Sequence, residues 1–436
     1  MELTKVSIGK YIRMNLTLTQ QQARIEAERC LQCFDAPCTQ ACPAHINVPK
    51  FIGMIRSGNI IGAAEVAKTS NALINVCGKI CPEETFCQSV CTRSKQDDPI
   101  KIRELHFFAT QEETKKGFAL TIPFPKSQKK VAVVGAGPSG LGCAFELSKF
   151  GYKIDVFDKG KSGGVPRTSI PAFRLATKEL ESDTKFLLKY FSLKKKTIDG
   201  KVFAQIQKSY DATFLAVGLG KDRPVGIPGE RLEGVLPVLE FLESAKANPK
   251  KMKIGKRVVI IGGGNVSLDA AATAKRFGAE SVILIYRRSE KEMRVWKAEL
   301  EEARRQGVEI RFLINPVAVV GKKKVEGVKC RRTKLSKQKD KSGRPIPVEL
   351  KGSDFILEAD TMIVAVGQSI AADWLNGFIR EKGYIKVDEN FQTSMDRVFA
   401  GGDMIAGEGT IVQSVAQGKH AAQAIHHYLI NSKNEL

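Results

Sequence analysis

Eight of the ten cysteines in this 436-residue chain fall between Cys30 and Cys91. They form two blocks, Cys30-x2-Cys33-x4-Cys38-x3-Cys42-Pro43 and Cys77-x3-Cys81-Pro82-x4-Cys87-x3-Cys91. Thiolates grouped this closely in a large chain point to metal; a disulfide framework suits a small secreted domain instead. Tetrahedral zinc sites usually present two close pairs per metal. Two tandem sets of four, with proline after Cys42 and Cys81, fit iron–sulfur ligation better, because the ligand beside the proline often serves the other cluster. The spacing predicts two [4Fe–4S] clusters drawing on both blocks, with zinc as the competing reading.

A second kind of chemistry lies further along. Gly135-Ala136-Gly137-Pro138-Ser139-Gly140 follows a short apolar run, Val131–Gly135, and opens a helical segment. The first glycine permits a tight turn, the second lets a pyrophosphate approach the backbone, and the third lets helix and strand pack closely. Asp158 ends the next apolar run, where a carboxylate can hold ribose hydroxyls. A similar unit begins at Arg257, with Gly262-Gly263-Gly264-Asn265-Val266-Ser267 as its turn. Its strand end reads Tyr286-Arg287-Arg288 instead of an acid. Guanidinium groups bind a 2′-phosphate that a carboxylate would repel, so the second unit favours NADP(H) over NAD(H). Two such units in one chain divide most naturally into a flavin site first and a nicotinamide site second.

The elements that position these residues are legible in outline. Thr19–Cys30, Val48–Ser57 and Ile61–Thr69 read as short helices in a loop-rich region of roughly 120 residues, closed by a linker at Thr121–Lys130. Each glycine turn sits in a βαβ unit, the signature of a parallel sheet. Asp211–Gly218 and Asp360–Gly367 are near-duplicate strand pieces, and a helix is predicted from Thr410 to Ile430. The expected domains are residues 1–122 (helical, iron–sulfur), 123–245 and 361–436 (two parts of an FAD domain) and 246–360 (an inserted NAD(P) domain). The fold class is therefore α/β, with two Rossmann-like folds behind a helical domain.

Composition bounds the rest. Hydrophobic residues make up 43% of the chain and the formal charge is +22. The basic runs, Lys194–Lys196, Lys250–Lys253, Lys322–Lys324 and Arg331–Arg344, lack the interleaved aromatics of a single-strand binder and read as solvated loops. They leave a docking face for an acidic redox partner open, and nucleic-acid binding is the weaker reading. No apolar run reaches a membrane span, and Met1–Asn15 has no apolar signal core. A cytosolic protein is expected; the terminal Lys433–Leu436, faintly like an ER-retention tail, reads as an exposed polar end.

Two resemblances sharpen this picture. Asp211–Gly218, Asp360–Gly367 and Val398–Asp403 resemble strand pieces of the glutathione-reductase-like flavoproteins, from Lys130 to the C-terminus. The disulfide reductases of that class need a cysteine pair beside the flavin, whereas Cys143 and Cys330 lie in different elements and read as structural. The segments RCLQCFDAPCTQACPAHINVPKFI, NALINVCGKICPEETFCQSVCTR and DPIKIRELHFF resemble the electron-input region of dihydropyrimidine dehydrogenase. The glutamate synthase small subunit shares the plan and matches the cysteine blocks less closely. The resemblance to dihydropyrimidine dehydrogenase implies one cluster on Cys30, Cys33, Cys38 and Cys91. It implies a second on Cys42, Cys81, Cys87 and His106, which stands where the family has glutamine, with Cys77 a bystander or the alternative ligand. It also places Gly164, Arg174, Gly402, Asp403 and Thr410 at the flavin and Arg294 with Arg287 and Arg288 at the 2′-phosphate. Val295-Trp296 departs from the family's continuation after Arg294.

The expected function is electron transfer from NAD(P)H through FAD and two [4Fe–4S] clusters to a catalytic partner subunit, one that reduces uracil or thymine. Glutamate synthase, ferredoxin or a sulfur-reducing relative is the alternative. No acid–base catalyst is expected, since the cofactors supply the chemistry. No pyrimidine-reducing barrel or FMN site is visible.

Overall fold

The structure is a computed structural model that describes residues 18–117, 124–340, 342–407 and 409–431. Met1–Asn15, the start of the linker and Lys433–Leu436 lie outside the described residues. The chain divides into two compact units, and each has its own parallel sheet.

The first unit takes in residues up to 164, 174–217 and 374–436. Its N-terminal part is built from short capped helices. Thr19 and Gln22 form a reciprocal capping box ahead of Gln20–Glu28, and the side chains of Asn47 and Asn59 cap Val48–Arg56 and Ile60–Ser70. Val48, Phe51, Ile52 and Ile55 share one helix face and are buried. They pack into a single apolar cluster with Leu105 and Phe108 of the helix Ile102–Lys115 and with Cys42, Cys77, Cys87 and Cys91. The cysteine blocks thus sit at the edge of a packed core.

The rest of this unit is a five-stranded parallel sheet. Its order is Val398–Ala400, Ala212–Leu215, Lys130–Val134, Lys153–Asp158, Ser192–Lys195. The C-terminal helix Ile411–Asn431 lies against Pro138–Lys149, where glycines allow the backbones to meet. A Cβ on Gly418 would fall 2.0 Å from Ser139 O, and one on Gly142 would fall 2.7 Å from Val415 O.

The second unit spans 218–373 together with 165–173. Its parallel sheet runs Val235–Pro237, Thr361–Ala365, Arg257–Gly262, Ser281–Tyr286, Glu309–Phe312. Residues on both sides of 246–360 belong to it: Val238, Phe241 and Leu242 share a core with Val258, Leu268 and Ile363. A three-stranded antiparallel sheet follows, Ile314–Val320, Gly327–Lys339 and Pro345–Glu358. Here the structure corrects the expectation of a solvated loop at Arg331–Arg344. Most of that run is strand, with Val328, Cys330 and Thr333 inward and Arg331 paired across to Glu349 and Asp354. Lys194 and Lys195 are likewise in a strand, the edge strand of the first sheet.

Candidate functional site

Tertiary folding sorts the cysteines. Cys30 lies within electrostatic reach of Cys33 and Cys91, and Cys38 within reach of Cys30 and Cys91. Cys81 is in the same relation to Cys77, Cys87 and Cys42, and Cys87 to Cys42 and Cys38. Cys77 is within reach of both Cys42 and Cys81, so the thiols gather as Cys30, Cys33, Cys38 and Cys91 on one side and Cys42, Cys77, Cys81 and Cys87 on the other, with Cys38 also in reach of Cys87. Each draws on both sequence blocks. Burial pushes the thiols of Cys30, Cys38, Cys42, Cys77, Cys81 and Cys87 upward, and neighbouring thiolates add to it for all of these but Cys42. Such a set calls for a cationic centre, since a coordinated thiol is deprotonated outright. All ten cysteines are free of disulfides. Among the described residues no three His, Cys, Asp or Glu side chains converge on a point that would hold one ion. A cubane offers a separate iron to each ligand and needs no such convergence.

His106 is buried on the helix Ile102–Lys115, stacked on Phe51 at 4.1 Å between ring centroids. Burial pushes its pKa down to about 3, so the imidazole is neutral, and Nε2 has no hydrogen-bond partner. A buried nitrogen left without a partner is uncommon, and an electrophile is one natural remedy. The neighbouring turn is held firmly: Arg103 donates to Cys81 O, and Glu83 accepts from the Arg103 backbone N–H. A Cβ on Gly78 would fall 3.1 Å from Phe107 N, so the helices carrying Cys77 and His106 are in close contact.

In the first glycine turn, Gly135 adopts φ +108°, and a Cβ there would meet Ala216 O at 2.3 Å. A Cβ on Gly140 would meet Gly135 O at 1.9 Å, whereas one on Gly137 would meet only Gly164 Cα at 3.9 Å. The position meant for a pyrophosphate is thus open while its neighbours are packed shut. Asp158 accepts from the Ala136 and Gly160 backbone N–H groups, 2.8 Å each, which fixes the carboxylate beside the turn. Ser139 Oγ, one residue into the helix, is buried without a partner. Gly402 lies across from it; a Cβ there would fall 2.8 Å from Ser139 Cβ. Asp403 accepts from Ser414, and Thr410 and Gln413 cap the C-terminal helix. Gly164 and Gly402 therefore close on one turn, with Asp403 next to Gly402 and tied through Ser414 to the helix that Thr410 caps. Arg174 is half-buried, in the same unit.

Sequence reasoning missed the ties between this helix and the cysteine region. Lys419 donates to Ala44 O at 3.1 Å and to Ser70 O at 3.4 Å. Asp183 accepts from the backbone N–H groups of Asn75 and Val76, beside Cys77. Ile411 and Val412 pack into the same apolar cluster as the cysteines. The one sequence signal was Lys419, the single lysine or arginine of the helix Ile411–Asn431.

The second turn repeats the first. Gly264 is open and precedes the helix Asn265–Arg276, while a Cβ on Gly262 would meet Ala365 O at 2.4 Å and one on Gly263 would meet the Tyr286 ring at 2.3 Å. Asn265 accepts from the Trp296 backbone N–H, and Arg294 N donates to Gly263 O, so the segment after the strand folds back onto the turn. Val266 packs into the core beneath. Arg287 and Arg294 are exposed. Arg288 is different: it is 2% exposed, with Nε donating to Pro345 O and Nη2 paired to Asp340 at 2.6 Å.

Two parallel sheets, each opening on a glycine turn with room for a pyrophosphate, define an oxidoreductase of the two-dinucleotide class. The chain belongs to the pyridine nucleotide-disulphide oxidoreductase family, which matches residues 129–424; residues 7–118 match Dihydropyrimidine dehydrogenase domain II, 4Fe-4S cluster. It is 35% identical to the glutamate synthase [NADPH] small chain of Halomonas elongata, covering 94% of this chain and 91% of that one. It is 36% identical to the NAD-dependent dihydropyrimidine dehydrogenase subunit PreT of Escherichia coli, covering 93% of each. Among solved structures, Mycobacterium tuberculosis FprA superposes with a TM-score of 0.63 at 20% identity, covering 71% of this chain and 86% of that one, a likeness of fold. The protein is an oxidoreductase that uses FAD, NAD(P) and [4Fe–4S] clusters, and the open glycines, unpartnered Ser139 and His106, and grouped thiols fit those groups. No helix among the described residues is long and apolar enough to cross a membrane.

Proposed function

We propose that the chain is the NAD(P)H-oxidising, electron-transferring subunit of a dihydropyrimidine dehydrogenase in the cytoplasm, delivering electrons to a partner that reduces uracil or thymine. FAD, when bound, would take a hydride, two electrons with a proton, and iron–sulfur clusters would take electrons singly, which reconciles a two-electron donor with one-electron exits. In this reading Gly137 and the N-terminus of Pro138–Lys149 hold the FAD pyrophosphate and Asp158 the ribose. Gly402, Asp403, Thr410, Gly164 and Arg174 position the flavin, and Gly264 with Asn265 and Val266 seats the nicotinamide nucleotide. Arg287 and Arg294 face the 2′-phosphate of NADP(H). Cys30, Cys33, Cys38 and Cys91 hold one cluster; Cys42, Cys81, Cys87 and His106 hold the other. No side chain is assigned a proton-transfer step.

The observation that carries the reading is the crossed grouping of the thiols, in one compact unit with the first glycine turn and tied to its C-terminal helix through Lys419 and Val412. Anaerobic purification with co-eluting partners, followed by reduction of the flavin with NADPH or NADH, tests it. A flavin- and iron-coloured protein bringing down a pyrimidine-reducing subunit is the expected result. Co-elution with a glutaminase-type large subunit would establish the second reading, which the 35% identical glutamate synthase small chain supports. His106→Ala is expected to change the reduced-state EPR of one cluster. Unchanged spectra and potentials for both would return the last position to Cys77. Nucleic acid and membrane are not expected partners; ferredoxin is the alternative acceptor.

A further inference from the structure

The 2′-phosphate reading leaves one arginine out of place, and the hairpin that captures it brings another in. Arg288 is buried and bonded to Pro345 O and Asp340, so its guanidinium braces the tip of the hairpin Gly327–Lys339/Pro345–Glu358 against the end of the strand Ser281–Tyr286. Asp340 organises that tip. Its Oδ2 takes Arg288, and its Oδ1 accepts from Ser342 N, Ser342 Oγ and Arg344 N. The turn so formed presents Arg344, half-buried, with Nη1 3.4 Å from the hydroxyl of Tyr286. Tyr286 is the residue immediately before Arg287, and its ring packs on Gly263 of the glycine turn.

Three guanidinium groups thus meet at the strand end against one carboxylate whose two oxygens are already engaged. The surroundings of Arg287 include Arg288, Arg344 and Asp340; though the residue is exposed, partial desolvation of its guanidinium and the two like charges disfavour its cationic form. The imbalance is about two positive charges, which a phosphate monoester of about −2 matches. Arg fits a phosphate by paired charge-assisted hydrogen bonds; among these three, exposed Arg287 and half-buried Arg344, whose Nε donates to Ser342 Oγ, are the guanidiniums with no ion pair to a carboxylate among the described residues.

We propose that Arg344, delivered by the antiparallel hairpin and set by Asp340, is a specificity-determining contact to the 2′-phosphate of NADP(H), with Arg288 as the brace that holds the hairpin there. This rests on the NADP(H) reading above. The test uses the holoenzyme and two probes, 2′,5′-ADP, which carries the 2′-phosphate, and 5′-AMP, which lacks it. The wild type is expected to bind 2′,5′-ADP the more tightly. Arg344→Ala should weaken 2′,5′-ADP by ~10-fold or more, the worth of a hydrogen bond to a charged group, and leave 5′-AMP unchanged. Arg344→Lys should recover part of the loss, since it keeps the charge without the fork. Arg331→Ala, which removes a cross-strand pair elsewhere on the hairpin, should move neither probe. Equal weakening of both probes by Arg344→Ala, or of neither, overturns the role of Arg344 while the NADP(H) reading stands. A wild type that binds both probes alike overturns that reading and this proposal with it.

Discussion

At Gly135 and at Gly262 a Cβ would meet the same obstacle, an alanine carbonyl at the end of the neighbouring strand: Ala216 O at 2.3 Å, just past Ala212–Leu215, in the first fold and Ala365 O at 2.4 Å in the second. Gly137 and Gly264, two residues on, are both open. The folds part company at the third position and at the strand end. Gly140 leaves no room for a side chain, since a Cβ would fall 1.9 Å from Gly135 O, whereas Ser267 occupies the equivalent place and turns its hydroxyl back to Gly264 O at 2.6 Å. The strand ends then carry opposite charge, Asp158 against Arg287. The difference teaches that the pyrophosphate seat is common property of the backbone. Helix–strand closeness and the charge at the strand end are what set the two folds apart, and the proposed division into a flavin and a nicotinamide fold rests on them.

The comparison can be broken most severely at Gly140. Gly140→Val forces the helix Pro138–Lys149 away from its strand, and the protein is expected to purify without flavin absorbance, its iron content then reporting whether the N-terminal region still folds. Retention of flavin would show that the tight packing of the first fold is incidental. Asp158→Ala removes the ribose acceptor and leaves the Ala136 and Gly160 N–H groups without their partner; FAD should be released ~10- to 100-fold more readily, about 1.5–3 kcal/mol for a charged hydrogen-bonding group, as read by flavin dissociation. In the second fold Arg287→Ala should raise KM for NADPH by ~10-fold and leave NADH within error, which sharpens the charge contrast. A parallel rise for NADH would mean that Arg287 only finishes its strand. The smallest effect is expected from Ser267→Gly. It loses one hydroxyl bond and some helix propensity, about 1–2 kcal/mol of local stability, with NADPH and NADH affinities changing alike. A selective change in one nucleotide would place Ser267 in cofactor recognition.

Much of this was legible because it is local. A glycine turn, the strand before it and the helix after it lie within a few residues of one another, so periodicity and motif read together. The helices 20–28, 48–56 and 60–70, the strands at Lys130, Arg257, Thr361 and Val398, and the C-terminal helix all stand where the pattern predicts them. The Arg331–Arg344 run was misread as loop because its lysines dominate the composition, while the alternation of Val328, Cys330 and Thr333 acquires meaning only once Pro345–Glu358 pairs beside it. Arg288 was grouped with Arg287 because the two are adjacent, yet the chain bends just past the strand Ser281–Tyr286 and gives the two side chains different surroundings. One ends exposed, the other buried against the hairpin.

The sequence by itself determined the chemistry on offer: thiols in two close sets, two glycine turns, an acid at the end of one strand and arginine at the end of the other. Residue type and short spacing suffice for that, because each motif is one continuous piece of backbone. Tertiary structure decided which groups face one another. The sorting of cysteines from both blocks, the capture of Arg288 by Asp340 across 52 residues, the hold of Asp183 on Asn75 across 108 and of Lys419 on Ala44 across 375 are contacts between distant segments. They form only when separate apolar faces are buried together, and no local pattern encodes which distant partner that burial brings.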